Sequence, residues 1–404
     1  MKLRYNYRIY PTEVQKRMLA QTFGCVRVVF NDALAIVKAT PEGDKWPCNS
    51  ELQKLVITQA KRTPQRKWLS GVSNVPLQQS VRDLGTAFSA FFKSLKGERN
   101  GQRVGFPHFK RKDDEQSARF VRQGFSIKGN KVYLAKIGTL KVIWSRELPS
   151  YPTSITVLKN KVGQYYISCV VEVEPEVIPP IHESVGIDLG IKTFAVTSRG
   201  EFIRSPRYAK LDRKIRRFQR QLARQIKGSN RWYRTKKRIA TLNLKIANIR
   251  KDFLHKLSTK LVHENQIISL ENLNVKGMVK NRTLARAIAQ QGWGLFRQMV
   301  EAKAVMYARQ VSIISRWEPT SQTCSCCGYR WGKLDLSVRE LVCMNCHTHH
   351  DRDENAAVNI DRSGLEQAHE DNWTVSASKT GVPATRVDLS TRLVDEHGQL
   401  CLAL

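Results

Sequence analysis

Residues 185–205 read VGIDLGIKTFAVTSRGEFIRS, a run of short apolar segments broken by glycine. The alternation and the glycine turns predict consecutive short β-strands. Asp188 lies inside the first of them, between Ile187 and Leu189, where an ionised carboxylate is costly unless it is paired or bound to a metal ion. The stretch therefore predicts a β-sheet and an acid whose position needs an explanation from elsewhere in the chain.

Two more acids stand at comparable places far along the chain. Glu271 ends the apolar strand IISLE, and Asp353 occupies a predicted N-cap of the helix ENAAVNI. Each acid has an ordinary alternative, since Asp188 could be a turn residue before Gly190, Glu271 could face water and Asp353 could be only a cap. All three together, each beside a hydrophobic strand or a helix start, predict a convergent acidic cluster.

Such a cluster suits a hard divalent cation. Carboxylate oxygens are ligands for Mg²⁺ or Mn²⁺, and phosphodiester hydrolysis commonly uses two such ions to activate water and stabilise the leaving oxygen. We therefore expect Asp188, Glu271 and Asp353 to bind the metal and to be the catalytic residues. Asp351 is a candidate fourth acid, although alternation with Asp353 would point its side chain elsewhere.

Four cysteines just before Asp353 have the spacing of a metal site. Cys324 and Cys327 form one Cys-x-x-Cys doublet, and Cys343 and Cys346 form the second after fifteen intervening residues. This spacing predicts a zinc ribbon with four thiolate ligands, a closed and structural site. Cys326 could replace a ligand, but only the pair Cys324 and Cys327 repeats the gap of the second doublet.

Three histidines follow the second doublet, His347, His349 and His350. A ligand role for one of them stays open, and surface polarity or contact with a nucleic acid is favoured over it.

The composition points to a polyanionic partner. The 404 residues include 68 Lys and Arg against 35 Asp and Glu, a formal net charge of +33. No stretch of about 18 apolar residues occurs, and the N-terminus MKLRYNYRIYP lacks the apolar core of a signal peptide. Nine cysteines, of which four form the doublets and five are scattered, fit a reducing compartment. We expect a soluble cytoplasmic protein without a membrane partner.

About half of the charge excess lies in one segment, a predicted basic helical hairpin over residues 207–262. Residues 201–260 hold 20 Lys and Arg and 3 Asp and Glu, a net of +17. Apolar stripes at helical spacing predict two helices, with the turn Gly228–Asn230 between them. The alternative is a solvated cationic face, but acids that could pair with these cations are nearly absent, so we expect a phosphate backbone to bind there. The candidate nucleic-acid-binding residues are Arg213, Lys214, Arg217, Arg220, Arg224, Lys236 and Lys237.

The N-terminal half predicts a helical block inserted into a β module. Residues 1–11 read as a strand, and residues 12–98 read as helices, the first capped by Thr12 with Gln15 completing a capping box. Residues 97–114 are rich in Gly and cations and predict a loop. From Phe120 to Pro175 alternation predicts a small β-barrel that the first strand joins. Residues 176–184 then read as a linker.

Further elements are predicted after the basic hairpin. They are a helix from about Phe296 to Arg309, a strand VSIISRW, and a mostly mobile tail from residue 363.

These motifs, in this order, resemble the TnpB (OrfB) family of compact nucleases encoded by bacterial insertion sequences and related to type V CRISPR effectors. The resemblance covers roughly residues 5–362 and includes RIYPTEVQKRMLAQTFGCVRVVFN, VGFPHFKRK, VGIDLGIKTFAV, SLENL, PTSQTCSCCG and HDRDENAAVNI. It implies a multidomain α/β protein, with a wedge β-barrel that carries a helical recognition insert, and an RNase H-like RuvC domain that carries an inserted zinc ribbon.

The resemblance also implies domain boundaries. The wedge barrel would comprise residues 1–11 and 99–180, and the recognition insert residues 12–98. The RuvC domain would comprise residues 181–319 and its C-terminal helix, residues 349–362, with the zinc ribbon at 320–348 and a flexible tail at 363–404.

For the site, the resemblance implies that Asp188, Glu271 and Asp353 are the first, second and third RuvC acids, with Asp351 matching a less essential acid. It implies a guide RNA derived from the transposon end and double-stranded target DNA next to a short motif. A loop typical of the family comprises Phe106, His108, Phe109, Lys110 and Arg111 here, and of these Phe106, His108, Lys110 and Arg111 are added to the candidate nucleic-acid-binding residues.

The sequence thus predicts an RNA-guided DNA endonuclease that uses Mg²⁺ or Mn²⁺ for catalysis and Zn²⁺ for structure. Two rivals stay open. One is a transposase or recombinase that uses the same acids on DNA directly, and the other is a non-enzymatic nucleic-acid-binding factor built on the ribbon and the basic hairpin.

Overall fold

The computed structural model describes residues 1–377 except 42, 100–102 and 336, and it describes no side chains from 371 onward. Within this part the chain forms two compact units, Met1–Val173 and a second unit that begins at Glu174. The division falls inside the segment predicted as the end of the wedge barrel, a few residues before position 181.

The first unit is built on a seven-stranded antiparallel sheet with the order β2-β6-β7-β1-β5-β4-β3. The strands are β1 Lys2–Ile9, β2 Gln116–Val121, β3 Phe125–Lys128, β4 Lys131–Leu134, β5 Gly138–Ile143, β6 Ser154–Lys159 and β7 Tyr165–Glu172. β1 lies in the centre, paired with β7 along its whole length and with β5 at its end. The prediction that the first strand joins the later β module is therefore confirmed.

The predicted small β-barrel is not closed by a continuous ladder of strand pairs in the described residues. β2 and β3 stand at opposite ends of the strand order, and no ladder pairs them within the described residues. The short turn Arg122–Gly124 joins them. The reason is that this turn bends the chain from one ladder into another, because β2 pairs with β6 while β3 pairs with β4.

Helices fill the segment between β1 and β2, as predicted. They are α1 Glu13–Ala39, α2 Asn49–Gln53 and α3 Asn74–Leu95, with short 3₁₀ and π turns between α2 and α3. Thr12 caps α1 through its Oγ1, which accepts a hydrogen bond from the Gln15 amide at 3.3 Å, and Gln15 Oε1 accepts one from the Thr12 amide at 3.0 Å. The predicted capping box is confirmed.

α1 is the one helix among the described residues that is long and apolar enough to cross a membrane, with a mean hydropathy of 1.2 over an 18-residue window. Half of that window is buried inside the protein, and α1 packs against α3. Leu19, Val29, Ala33 and Leu34 on its buried face are 0% exposed. This burial is typical of a core helix.

The second unit is built on a five-stranded sheet with the order β10-β9-β8-β11-β12. The strands are β8 His182–Leu189, β9 Ala195–Thr197, β10 Phe202–Ile203, β11 Asn265–Glu271 and β12 Gln310–Ile314. β8, β9 and β10 are the predicted consecutive short strands and pair as an antiparallel meander, whereas β11 lies parallel to β8 and to β12. The three parallel strands end at the same edge, which we call the carboxyl edge.

Helices and a small ribbon complete the second unit. The basic hairpin consists of α4 Ala209–Ala223 and α5 Asn230–Glu264, and α6 Val275–Met278, α7 Ala285–Gln291, α8 Trp293–Met306 and α9 Arg352–Ala377 follow. β13 Glu340–Val342 pairs with β14 His349–Asp351. The predicted strand VSIISRW ends early, because the Glu318 amide donates to the Ser315 carbonyl at 3.2 Å and turns the chain.

α9 lies unusually close to the sheet, because glycines stand where it crosses β8 and β11. A Cβ atom on Gly186 would overlap the carbonyl oxygen of Ala357, and one on Gly364 would overlap the hydroxyl of Ser269. Gln367 Oε1 also accepts a hydrogen bond from the Ser312 hydroxyl at 3.3 Å.

The tail predicted to be mobile from residue 363 is therefore helical as far as Ala377. The prediction was wrong there because Gly364 and Ala368, one turn apart and both buried, continue the contact with the sheet. Residues 378–404 lie outside the described part.

Candidate functional site

The three acids predicted to converge stand around the carboxyl edge of the second sheet. In the parallel pair β8 and β11, Leu270 lies opposite Ile187, so Glu271 and Asp188 each follow by one residue on neighbouring strands. Asp353 lies in the first turn of α9, which packs against both strands. All three side chains are half-buried. Folding thus gathers residues that are far apart in the sequence.

The charges of these acids act on one another. Burial raises the pKa of Asp188 to about 7, and the negative charges of Asp353 and Glu271 add to that rise. The Leu189 amide and the positive charge of Arg352 offset part of it. Burial also raises the pKa of Glu271. A carboxyl whose ionised form is disfavoured by burial and by two neighbouring acids is a group that a divalent cation would stabilise.

The spacing of the acids differs from that of a site for one ion. The carboxylate oxygens of the three acids do not all lie within 4.8 Å of one another, whereas the sulfur atoms of the four cysteines do. Two ions about 3.5–4 Å apart need a wider ring of ligands than one ion does.

Asp351, not Asp353, caps the N-terminus of α9. Its Oδ1 accepts hydrogen bonds from the amides of Asp353 at 2.9 Å and Glu354 at 3.0 Å. The prediction that Asp353 is the N-cap was wrong because the helix begins earlier, at Arg352. The correction leaves the carboxylate of Asp353 free of a capping role and gives the neighbouring acid a structural one.

The carboxylate of Asp353 instead receives a hydrogen-bonded ion pair from the ribbon. Arg339 Nη1 lies 3.0 Å from Oδ1 and 3.1 Å from Oδ2 of Asp353. Arg339 lies directly before β13 and belongs to no sequence pattern that would have identified it.

The four predicted cysteine ligands form one cluster. Their sulfur atoms all lie within 4.8 Å of one another, with Cys324 and Cys346 3.7 Å apart and Cys327 and Cys343 3.6 Å apart. Four sulfurs at bonds of about 2.3 Å to one tetrahedral zinc ion would be about 3.8 Å apart, so the donor set fits that ion. A hydrogen bond with Thr348 lowers the pKa of Cys346 to about 6, which favours its thiolate. Cys326 is exposed and lies outside the cluster.

Of the three histidines after the second doublet, His350 contacts the cluster. Its Nε2 lies 3.1 Å from the sulfur of Cys324, whereas His347 and His349 are exposed. The favoured reading of surface polarity was wrong for His350, because β14 turns its ring toward the first doublet.

Two buried asparagines attach the cysteine cluster to α9. Asn355 accepts a hydrogen bond from the Ser325 amide at 2.8 Å and donates one to the Thr323 carbonyl at 2.8 Å. Asn359 donates to the carbonyls of Thr320 at 2.8 Å and Thr323 at 2.7 Å. Neither residue was predicted from the sequence, although two asparagines four apart on an apolar helix could have indicated a polar contact.

The candidate nucleic-acid-binding residues of the basic hairpin are exposed. Arg213, Lys214, Arg217 and Arg220 lie on α4, Arg224 is its C-cap, and Lys236 and Lys237 lie on α5. The predicted turn at 228–230 is confirmed, with Ser229 capping α5 by accepting from the Trp232 amide at 3.2 Å. The hairpin thus exposes all seven cations to solvent, and its contact with a nucleic acid stays a prediction.

The loop typical of the family, residues 106–111 in the first unit, packs against the helices of that unit. Phe106 packs edge-on against Phe88 and Phe91 at centroid distances of 5.3 and 5.5 Å. The amide and carbonyl of Lys110 hydrogen-bond with the side chain of Asn31. His108 and Arg111 are exposed. These contacts give Phe106 a packing role, and they leave His108 and Arg111 placed to meet a partner.

Comparisons with known proteins agree with the resemblance. Family models match three parts of the chain: OrfB_IS605, described as a probable transposase, at residues 168–282, a Cas12f1-like TNB domain at 293–360, and a helix-turn-helix domain, HTH_OrfB_IS605, at 1–42. The last description does not correspond to the structure, in which that region contains β1 and the single long helix α1.

Two relatives match over most of their length. A protein of Streptomyces pristinaespiralis is 39% identical over 370 residues, 90% of this chain and 90% of its own. InsQ of Escherichia coli strain K12 is 30% identical over 382 residues, 89% of this chain and 92% of its own. Both carry the name of an RNA-guided DNA endonuclease.

A solved structure of the mini-RNA-guided endonuclease CRISPR-Cas_phi3 is similar at 10% identity and a TM-score of 0.48, covering 89% of this chain and 92% of that chain. The class of the protein is therefore defined by the two sequence relatives, which match 90% and 89% of this chain. The chain belongs to the TnpB (OrfB) family.

Proposed function

We propose that the protein is an RNA-guided DNA endonuclease of an insertion sequence, working in the prokaryotic cytoplasm and cutting double-stranded target DNA next to a short motif. The observation that carries the proposal is the convergence of Asp188, Glu271 and Asp353, expressed in the raised pKa of Asp188. The inference of a guide RNA and of a DNA substrate rests on the names of the two relatives. The net charge of +33 supports binding to RNA and DNA together.

The carboxyl edge of the sheet would be the RuvC active site of an RNase H-like domain, as the strand order with three parallel strands and an antiparallel meander supports. Asp188, Glu271 and Asp353 would hold Mg²⁺ or Mn²⁺, which supplies an activated water and charge neutralisation at the leaving oxygen. Hydrolysis would form a bond from a water oxygen to phosphorus, break the bond to the 3′ oxygen and leave that oxygen protonated, so that the products are a 5′ phosphate and a 3′ hydroxyl. The carboxylates would hold the ions and thereby orient the reacting groups.

The four cysteines would hold Zn²⁺ in a closed structural site, with no part in the reaction. Their role follows from their attachments, since β14 runs directly into α9 and Asn355 and Asn359 attach the first doublet to the same helix. The ribbon would thus position Asp353.

The test is cleavage by the purified complex. We expect the protein to copurify with RNA and to cut DNA that matches this RNA only when Mg²⁺ or Mn²⁺ is present. Asp188→Asn should abolish cutting while RNA and DNA binding persist. Equal cutting of the same DNA by RNA-free protein would refute guidance, and full activity of Asp188→Asn would refute the assigned site.

A second candidate function is strand transfer, which the OrfB_IS605 description as a transposase favours. The same acids would then activate a DNA 3′ hydroxyl in place of water. Joined donor and target products in the same reactions would support it over hydrolysis.

A further inference from the structure

An unusually exposed tryptophan stands near the proposed active site. The side chain of Trp317 is 85% exposed, the largest value among the large apolar side chains in the described part of the chain. Burial of an indole usually contributes a large favourable free energy, and isolated exposed tryptophans are enriched where a partner is bound. The exposed indole of Trp317 is therefore a candidate binding surface for a ligand.

The fold places Trp317 at the carboxyl edge. Glu271 of β11 lies opposite Ile314, the last residue of β12, and Trp317 follows Ile314 by three residues. Three residues span at most about 10 Å, and the turn described above shortens this reach. On its far side the same loop is attached to α9, since Asn359 donates to the Thr320 carbonyl at 2.8 Å. The backbone of Trp317 is therefore held within about 10 Å of the end of β12, the strand that lies beside the one carrying Glu271.

The turn that carries Trp317 is ordered by its own hydrogen bonds. The Trp317 amide donates to the Ser315 hydroxyl at 3.3 Å, and the Glu318 amide donates to the Ser315 carbonyl at 3.2 Å. Arg316, next to Trp317 in the turn, is exposed and adds a positive charge. An aromatic ring on a fixed backbone beside a cation is the combination that binds an unpaired nucleotide, with the base stacked and the phosphate neutralised.

We propose that Trp317 forms a stacking subsite for one unpaired base of the DNA strand whose phosphate lies at Asp188, Glu271 and Asp353. The inference rests on the proposed function and adds a substrate-binding residue to it. Bases of intact duplex already stack on one another, so the subsite selects single-stranded DNA at the active site. Stacking holds the strand in register with the acids.

A position scan tests this proposal in the protein–RNA complex. Single-turnover cleavage is measured on targets that carry one abasic nucleotide at successive positions around the cut, with wild type, Trp317→Ala, Trp317→Leu and Trp317→Phe. We expect Trp317→Ala and Trp317→Leu to slow cutting of the intact target roughly tenfold to a hundredfold, and Trp317→Phe to stay within about threefold of wild type. Tyr133→Ala, which removes an exposed aromatic ring from β4, is the matched control and should cut normally.

The decisive result is non-additivity. At one position near the cut, the abasic nucleotide should slow wild type as much as Trp317→Ala does, and it should slow Trp317→Ala no further. If the two losses multiply at every position, or if Trp317→Leu cuts as fast as Trp317→Phe, the stacking assignment is wrong.

A second measurement does not depend on cleavage. Subtracting the fluorescence of the Trp317→Phe complex from that of wild type isolates the emission of Trp317, and short single-stranded oligothymidylate should quench it. Absence of quenching at saturating DNA overturns the inference. Failure of the wild type to cut, with quenching retained, would instead count against the proposed function and leave the subsite supported.

Discussion

Arg339 Nη1 donates hydrogen bonds to both carboxylate oxygens of Asp353, at 3.0 and 3.1 Å. Arg339 belongs to the ribbon segment and Asp353 to α9, so one side chain joins the cysteine-rich insertion to the third acid. The pair is partly exposed, with side-chain exposures of 43% and 28%, and its contribution to stability is correspondingly small. Its effect should appear in the orientation of the acid.

Removal of this pair should slow DNA cleavage. Arg339→Gln loses the charge that holds the carboxylate, and we expect single-turnover cutting to fall by roughly tenfold, as for other residues that orient metal ligands. Because a single nitrogen makes both contacts, Arg339→Lys should stay within about threefold. Arg330→Gln, an exposed arginine of the same ribbon, is the control. Unchanged cutting by Arg339→Gln would show that Asp353 needs no such support.

The two acids at the start of α9 should respond differently to substitution. Asp351→Ala removes a helix cap and should lower the free energy of unfolding by about 0.5–2 kcal/mol, whereas Asp351→Asn retains the cap and should unfold like wild type. Asp353→Asn should leave stability nearly unchanged and abolish cleavage. Thermal unfolding and cleavage rates of the three variants, compared side by side, check the assignment. Loss of all cleavage in a stable Asp351→Asn would contradict it.

The raised pKa of Asp188 predicts a pH-dependent stability of the metal-free protein. Since the folded pKa, about 7, exceeds the ordinary value of 3.8, stability is present below pH 3.8 and is lost as pH rises through 7. Asp188→Asn removes this loss. The free energy of unfolding of the variant should therefore exceed that of wild type by an amount that grows as pH rises from 3.8 to 7, up to about 4 kcal/mol.

Asp252→Asn, in an exposed pair with Lys256 on α5, is the control and should show no such trend. Mg²⁺ should stabilise wild type and have little effect on Asp188→Asn. Denaturant unfolding at several pH values measures the difference, and a gain that is constant with pH would refute the acid cluster.

The cysteine cluster should bind one zinc ion per chain. Cys343→Ser should lose zinc, lower the melting temperature and slow cleavage, because the ion holds the segment that leads into α9. Cys326→Ser should retain zinc, stability and activity, since that thiol lies outside the cluster. Atomic emission and calorimetry check both variants, and loss of zinc in Cys326→Ser would mean that the doublet is misassigned.

Local patterns were sufficient to predict most of the elements and the grouping of the four cysteines. Alternation identified β8, a short apolar run identified β11, helical spacing identified the basic hairpin, and the doublet spacing selected Cys324 over Cys326. The meeting of Asp188 with Glu271 was also predictable, because acids at the ends of strands in one parallel sheet share an edge.

Contacts between distant segments were not predictable in this way. Lys303 on α8 is 1% exposed, and its ammonium donates to the His255 carbonyl, Ser258 and Thr259 of α5. Its sequence neighbours give no sign of these acceptors. The same holds for Arg339, and for Gly364, whose contact with Ser269 extended α9 past the predicted end.

The two glycine contacts described above fix α9 along its own axis. Gly186 leaves room for the helix backbone at Ala357, and Gly364 leaves room for the hydroxyl of Ser269. A shift of the helix by one turn would therefore place larger side chains against the sheet at both contacts. The two glycines, which have no side chain, thus determine how far Asp353 lies from the strands that carry Asp188 and Glu271. Designs that shorten or transplant this nuclease core can vary its loops, but they must keep both glycines.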